Sequence, residues 1–159
     1  MNDNKNIPFV IIDKIKKEVV KKLGVESIFK LYDKFDGVFY LNKQLKRILA
    51  SYVISKKFSL PLINEEKILL STTIFEYNNK IYSIQGVELN DKIKIPNESV
   101  DIFIVVGFFD DFRKYKILGS ISKEECSKYK ETSKNSNSLI SKDVLAVINK
   151  ENLNYFENV

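Results

Sequence analysis

At 159 residues the chain is long enough for one domain with a single sizeable core, and 44% hydrophobic with 12% aromatic content belongs to a folded globule. It has no histidine and one cysteine, which excludes Ser-His-Asp and Cys-His catalysis, imidazole metal ligation, an internal disulfide and any multi-cysteine zinc site. The net charge of +5 is uneven: residues 1–57 hold 13 Lys and Arg against 6 Asp and Glu, whereas residues 58–159 hold 13 against 15. The basic third is the N-terminal one, suited to phosphate contacts.

Apolar Ile11, Ile15, Val19 and Leu23 recur every four positions, with Ile12 and Val20 beside them and Gly24 as a stop. The pattern predicts an amphipathic helix from about Pro8 to Leu23, with Lys14, Lys16, Lys17, Lys21 and Lys22 on its polar side. The segment YDKFDGVFY reads as a loop or short hairpin, because Asp36-Gly37 is a turn signal. Here Tyr32, Phe35, Phe39 and Tyr40 interleave with Lys30 and Lys34, which fits either a base-stacking platform or a loop packed onto the core through Phe29, Leu31, Phe35, Val38 and Phe39. A second helix fits Leu41, Leu45, Ile48, Leu49, Tyr52 and Val53 and ends near SKKFSLP, where Pro61 marks the break. Its polar face carries Lys43, Lys46, Arg47, Lys56 and Lys57.

The period then changes. KILLSTTIFEY and KIYSIQGVEL are strand-like and joined by Asn78-Asn79, which tolerate the left-handed backbone of a tight hairpin. VDIFIVVGFF is a near-continuous apolar run, as in a central strand covered on both faces. YKILGSI follows as a strand paired to it across DDFRK, and Ser122 with Glu125 forms a capping box that predicts a short helix from about Lys123 to Lys130. ETSKNSNS is a polar loop. The tail DVLAVINKENLNYF is ambiguous between helix and strand; the preferred reading is a strand at Val144–Ile148 and a final helical turn containing Leu153 and Phe156. The expected architecture is α/β: one domain over 1–159, with a basic helical part (8–57) and a sheet-containing part (66–159), built on a central mixed sheet of about four to five strands flanked by helices.

The order helix, hairpin, YSIQGV, VDIFIVV, YKILGSIS resembles the core and C-terminal half of restriction-endonuclease-like, PD-(D/E)XK, domains, over roughly Leu41 to Tyr129. Members of that superfamily carry an aspartate and then an Asp/Glu-X-Lys motif on the hairpin strand. Setting Gly86 against the glycine that follows the family lysine puts Ser83 at the acidic position, Ile84 at X and Gln85 at the lysine; the upstream aspartate would fall near Thr72 to Ile74, where none exists. Two carboxylates are needed to hold a hard cation that polarises water and phosphate, and a lysine to steady the developing charge. The resemblance therefore implies the fold without its catalytic residues.

Any catalysis here would run on carboxylates, lysines, hydroxyls or a carboxylate-bound cation. Glu76, Glu88, Asp91 and Asp101 lie on or beside the strands, and Glu18 on the first helix. Glu76 is expected to pair near Ile81 or Tyr82, away from Glu88; Glu88 and Asp91 are expected in a solvated loop, and Asp101 at a strand end, hydrogen-bonded to a neighbouring backbone. Cys126 reads as a helix-surface or half-buried residue with no imidazole to activate it.

Three functions follow. The first is a catalytically inactive nuclease-like domain that binds DNA, or a partner in a nucleic-acid-processing assembly, through Lys14, Lys17, Lys21, Lys43, Lys46, Arg47, Lys56 and Lys57, with no metal or other cofactor. The second is a protein-interaction module that uses the sheet edge or the aromatic loop. The third is a magnesium-dependent nuclease with carboxylates relocated around Glu76, Glu88 and Asp101. No apolar run approaches the roughly 20 residues that span a bilayer, and the polar start MNDNKN lacks a signal pattern. A cytoplasmic protein without a membrane partner is expected.

Overall fold

The computed structural model describes residues 5–23, 34–64, 66–67, 71–89, 92–109, 112–129 and 144–154. The every-fourth-residue apolar pattern becomes helix α1 (Phe9–Leu23), which buries Ile12, Ile15 and Val19. Helix α2 (Lys34–Phe58) is 25 residues long, so the stretch expected as a loop around Asp36-Gly37 is helical backbone instead. A glycine costs about 1 kcal/mol within a helix, whereas extending an existing helix adds a hydrogen bond per residue fixed; one turn-forming dipeptide does not stop it. The proposed platform or core roles of Tyr32, Phe35, Phe39 and Tyr40, with Lys30 and Lys34, lie outside the described side chains.

Helix α2 buries Leu45, Ile48, Leu49, Ala50, Ser51, Val53 and Ile54, nearly its whole circumference there, because α1 covers one side and the sheet the other. It ends in a left-handed cap at Ser59 (φ 54°), with the Leu60 N–H donating to the Ser55 carbonyl at 3.0 Å, and Pro61 follows.

Among the described residues the main sheet has five strands. Strands β2 (Ile74–Tyr77) and β3 (Lys80–Glu88) form the predicted hairpin, with positive φ at both Asn78 and Asn79. The chain then makes β4 (Ile93–Pro96), β5 (Ile102–Phe108), β6 (Lys114–Ser122) and, near its end, β7 (Val144–Ile148). With the two-residue β1 (Lys5–Asn6) the sheet order is β1-β6-β5-β3-β2; β3 and β5 are parallel and the other pairs antiparallel. Strands β4 and β7 form a separate antiparallel pair. The architecture is α/β with a mixed central sheet and helices.

Strand β5 explains its own composition. Ile104, Val106 and Phe108 face the helices in one core, and Phe103 and Val105 join Val87, Ile93, Ile95, Ile121, Ala146 and Ile148 in a second core. A strand covered on both faces needs apolar residues at every position. Cover on both faces was expected, but not that β4 and β7 would supply the second: β4 is four residues long, and only Ile93 and Ile95 inside with Lys94 outside betray its alternation.

The capped helix is shorter than expected. Helix α3 (Lys123–Cys126) starts at Ser122, whose hydroxyl accepts from the Glu125 N–H at 3.0 Å, and passes into a 3-10 turn at Ser127–Tyr129. Residue 130 lies outside the described set. Cys126, expected at a surface or half-buried, is fully buried in the second core. The strand reading of Val144–Ile148 holds, but the following turn is 3-10 and covers Lys150–Asn152; Leu153 is extended and Phe156 lies outside the described residues. Asn154 then pairs with Ser120 beside Gly119, whose φ of 144° marks the bulge in β6.

Candidate functional site

Ser83 and Gln85 are two residues apart on β3, so their side chains share the face turned away from the helices. The turn after β4 brings Glu98 over them. The Ser83 hydroxyl donates to Glu98 Oε1 at 2.9 Å, and Gln85 Nε2 donates to the same oxygen at 2.6 Å and to Ser83 Oγ at 2.8 Å. Ser83 is 1% exposed and Glu98 half-buried. The positions expected to lack charge thus meet a carboxylate from another part of the chain. Glu98 was not picked out from the sequence, because nothing in IPNESVD tells which strand the turn will cross.

The other candidate carboxylates do not converge. Glu76 pairs with Ile81 in the hairpin register. Glu88, expected in a solvated loop, is instead the last residue of β3 on the helix side of the sheet, where Lys46 of α2 lies 3.5 Å from its Oε1. Asp101 serves the backbone, as expected of a strand-end residue: its Oδ2 accepts from the Ile81 N–H at 2.7 Å, and its own N–H donates to the Ile81 carbonyl at 2.8 Å. Asp91 lies outside the described residues. Among the described residues no three His, Cys, Asp or Glu side chains group closely enough to hold a metal ion.

The basic residues divide by position. Lys14, Lys17 and Lys21 are exposed and follow one stripe of α1 at spacings of three and four residues. Asp13 and Lys16 are exposed beside them, Glu18 half-buried. On α2, Lys43 is exposed, Lys46 is turned onto the sheet toward Glu88, and half-buried Arg47 donates twice to Gln44 Oε1, at 3.2 and 3.1 Å. Lys56 and Lys57 are exposed at the last turn of α2, with Lys56 lying over the Tyr52 ring at 5.7 Å. The eight residues therefore occupy three places: one stripe of α1, the flank of α2, and the end of α2.

Two features add to these. Arg113, in the turn before β6, places its guanidinium 4.1 Å from the centre of the Phe9 ring, and Phe9 remains 60% exposed. A shallow cleft of about 240 Å³ opens at the end of β3, lined by Glu88, Leu89, Lys92, Leu118, Lys150 and Glu151 among others. Cys126 takes no part in either: burial, reinforced by the neighbouring Glu125 charge, pushes its thiol up to about 11, so it is a poor nucleophile at neutral pH.

No described helix is long and apolar enough to cross a membrane. Neither family models, nor curated proteins, nor solved structures offer a match to this chain.

Proposed function

We propose that the chain is a non-catalytic, restriction-endonuclease-like module that binds nucleic acid through the lysine stripe of α1. The observation that carries this reading is the exposed row Lys14, Lys17 and Lys21 along one stripe of α1. Cations held in a row on a rigid helix match the spacing of backbone phosphates and release counterions when they bind. The non-catalytic half of the reading is supported by Ser83 and Gln85, whose hydrogen bonds are spent on Glu98 where a metal-dependent nuclease needs ionised ligands and a lysine.

The test is a salt series with a generic labelled duplex. Binding should weaken steeply as salt rises, with a log–log slope close to −0.9 for each phosphate contacted. Replacing Lys14, Lys17 and Lys21 together by glutamine should flatten that slope by two to three units, measured by fluorescence anisotropy. No binding by the unaltered protein at low salt would sink the proposal. Cleavage of the same duplex with magnesium or manganese would instead revive the nuclease reading.

A second reading rests on the sheet edge. Strand β2 is terminal in the sheet, and Ile74, Tyr77 and the neighbouring Ile81 are exposed there. An extended peptide from a protein partner can add to such an edge. Charge substitution at Ile74 and Tyr77 would then abolish partner binding and leave the salt series unchanged.

A further inference from the structure

The lysine stripe of α1 does not end in lysine. Val10 stands four residues before Lys14 on the same stripe and is 70% exposed, and its neighbour Phe9 is 60% exposed. These are the two most exposed large apolar residues among those described. The chain holds Phe9 in place firmly. Buried Ile7 donates its N–H to the Arg113 carbonyl at 2.7 Å, β1 pairs with the start of β6, and Pro8 opens the helix through its carbonyl, which accepts from Ile11 and Ile12. That staple sets the Arg113 guanidinium over one face of the Phe9 ring and leaves the ring open to solvent elsewhere. Exposed Lys114 adds a further cation next in sequence to Arg113.

A ring with a cation over it and 60% of the residue still exposed is a half-built stack. It lies at one end of a row of lysines running along α1, about 18 Å from Phe9 to Lys21 at the usual helical rise. Single-strand binders combine these two elements, cations that follow the phosphate backbone and an aromatic face that takes a base. A duplex offers phosphates but keeps its bases stacked on one another. We propose that Phe9, backed by Arg113, is a base-stacking platform and that the α1 surface takes single-stranded nucleic acid, the phosphates following Val10's stripe along Lys14, Lys17 and Lys21. This rests on the nucleic-acid reading above and deepens it by naming the form of the ligand.

The experiment measures anisotropy of labelled oligothymidylate, oligouridylate, a duplex of the same length and inorganic polyphosphate, against the unaltered protein, Phe9→Ala, Phe9→Leu and Phe9→Tyr. Circular dichroism and thermal melting of each variant check the fold, and Phe9→Leu keeps the apolar bulk should Phe9→Ala melt early. Phe9→Ala and Phe9→Leu should each weaken single-strand binding roughly 5- to 100-fold with little change in salt slope; Phe9→Tyr should restore it, and duplex and polyphosphate binding should stay unchanged. If Phe9→Leu binds single strands as the unaltered protein does while the lysine variants lose binding, the platform is overturned and the nucleic-acid reading stands. Equal losses on polyphosphate also overturn the platform, since that polymer has no bases. Failure of the unaltered protein to bind any of the four overturns both.

Discussion

Glu98 is the residue on which the second face of β3 depends. It is the acceptor for both Ser83 and Gln85, and Ser83 is buried. Truncating it leaves those donors without their partner in a place water reaches poorly, which costs about 1–3 kcal/mol. Glu98→Ala should therefore lower the urea midpoint, and Glu98→Gln, which keeps an acceptor oxygen, should recover most of the loss; equal destabilisation by both would contradict this role. Cys126 gives a pH signature. Its folded thiol titrates at about 11, above the range of an exposed thiol. Between those two values the unfolded chain has released a proton that the folded chain still holds, so rising pH favours unfolding there. Stability should be insensitive to this group below about pH 8 and fall between about pH 9 and 11. Cys126→Ala should lessen that fall, the half-buried Tyr115 hydroxyl, also raised by desolvation, keeping a share of it; a denaturation series that keeps the same alkaline slope would refute it. At this scale the sequence was informative where the partner is local. Ser122 as a helix cap follows from its neighbours in the chain; Asp101 was legible as a strand-end backbone acceptor but not its partner Ile81, 20 residues away, and the meeting of Glu98 with Ser83 spans 15 residues and needed the crossing of the turn.

Among the elements, α2 and β3 approach each other more closely than a side chain allows. A Cβ on Gly86 would stand 2.5 Å from the Lys46 carbonyl oxygen and 2.8 Å from its carbon, both backbone atoms of α2. The helix would have to move as a unit, so Gly86→Ala should destabilise the fold by about 1–3 kcal/mol. Calorimetry checks this, and an unchanged midpoint would show that α2 shifts freely. The same contact seats Lys46 above Glu88, which is why a lysine counted among eight candidate phosphate ligands lies against the sheet. The helices and long strands were readable because their periods repeat: four turns in α1, two Asn with positive φ in the hairpin, seven consecutive strand residues in β5. Strand β4 was not, since four residues hold barely two periods. The turn dipeptide Asp36-Gly37 misled for the opposite reason, a local preference overridden by the helix continuing through it.

For the molecule as a whole, β5 is the element that everything else covers. It sits between β3 and β6, with helices on one face and the β4–β7 pair on the other. Its amides should exchange with solvent only on global unfolding, whereas those of the terminal β2 should exchange by local opening at lower free energy. Native-state hydrogen exchange measures both, and equal protection in the two strands would contradict the layered arrangement. The proposed binding surface lies away from this protected centre, on α1 and the staple of β1 to β6. A binding defect from the lysine or Phe9 variants is thus separable from a folding defect.

Composition and periodicity were enough to read an α/β fold, α1, the body of α2, the longer strands and a central β5, and to exclude imidazole chemistry and an internal disulfide. Periodicity and composition are properties of contiguous residues, and each of these follows from them. The tertiary structure alone decided which side chains meet. Glu98 crosses to Ser83 and Gln85, Lys46 turns onto Glu88, and Phe9 lies beneath Arg113, because each contact joins segments whose distance in sequence says nothing about their distance in space.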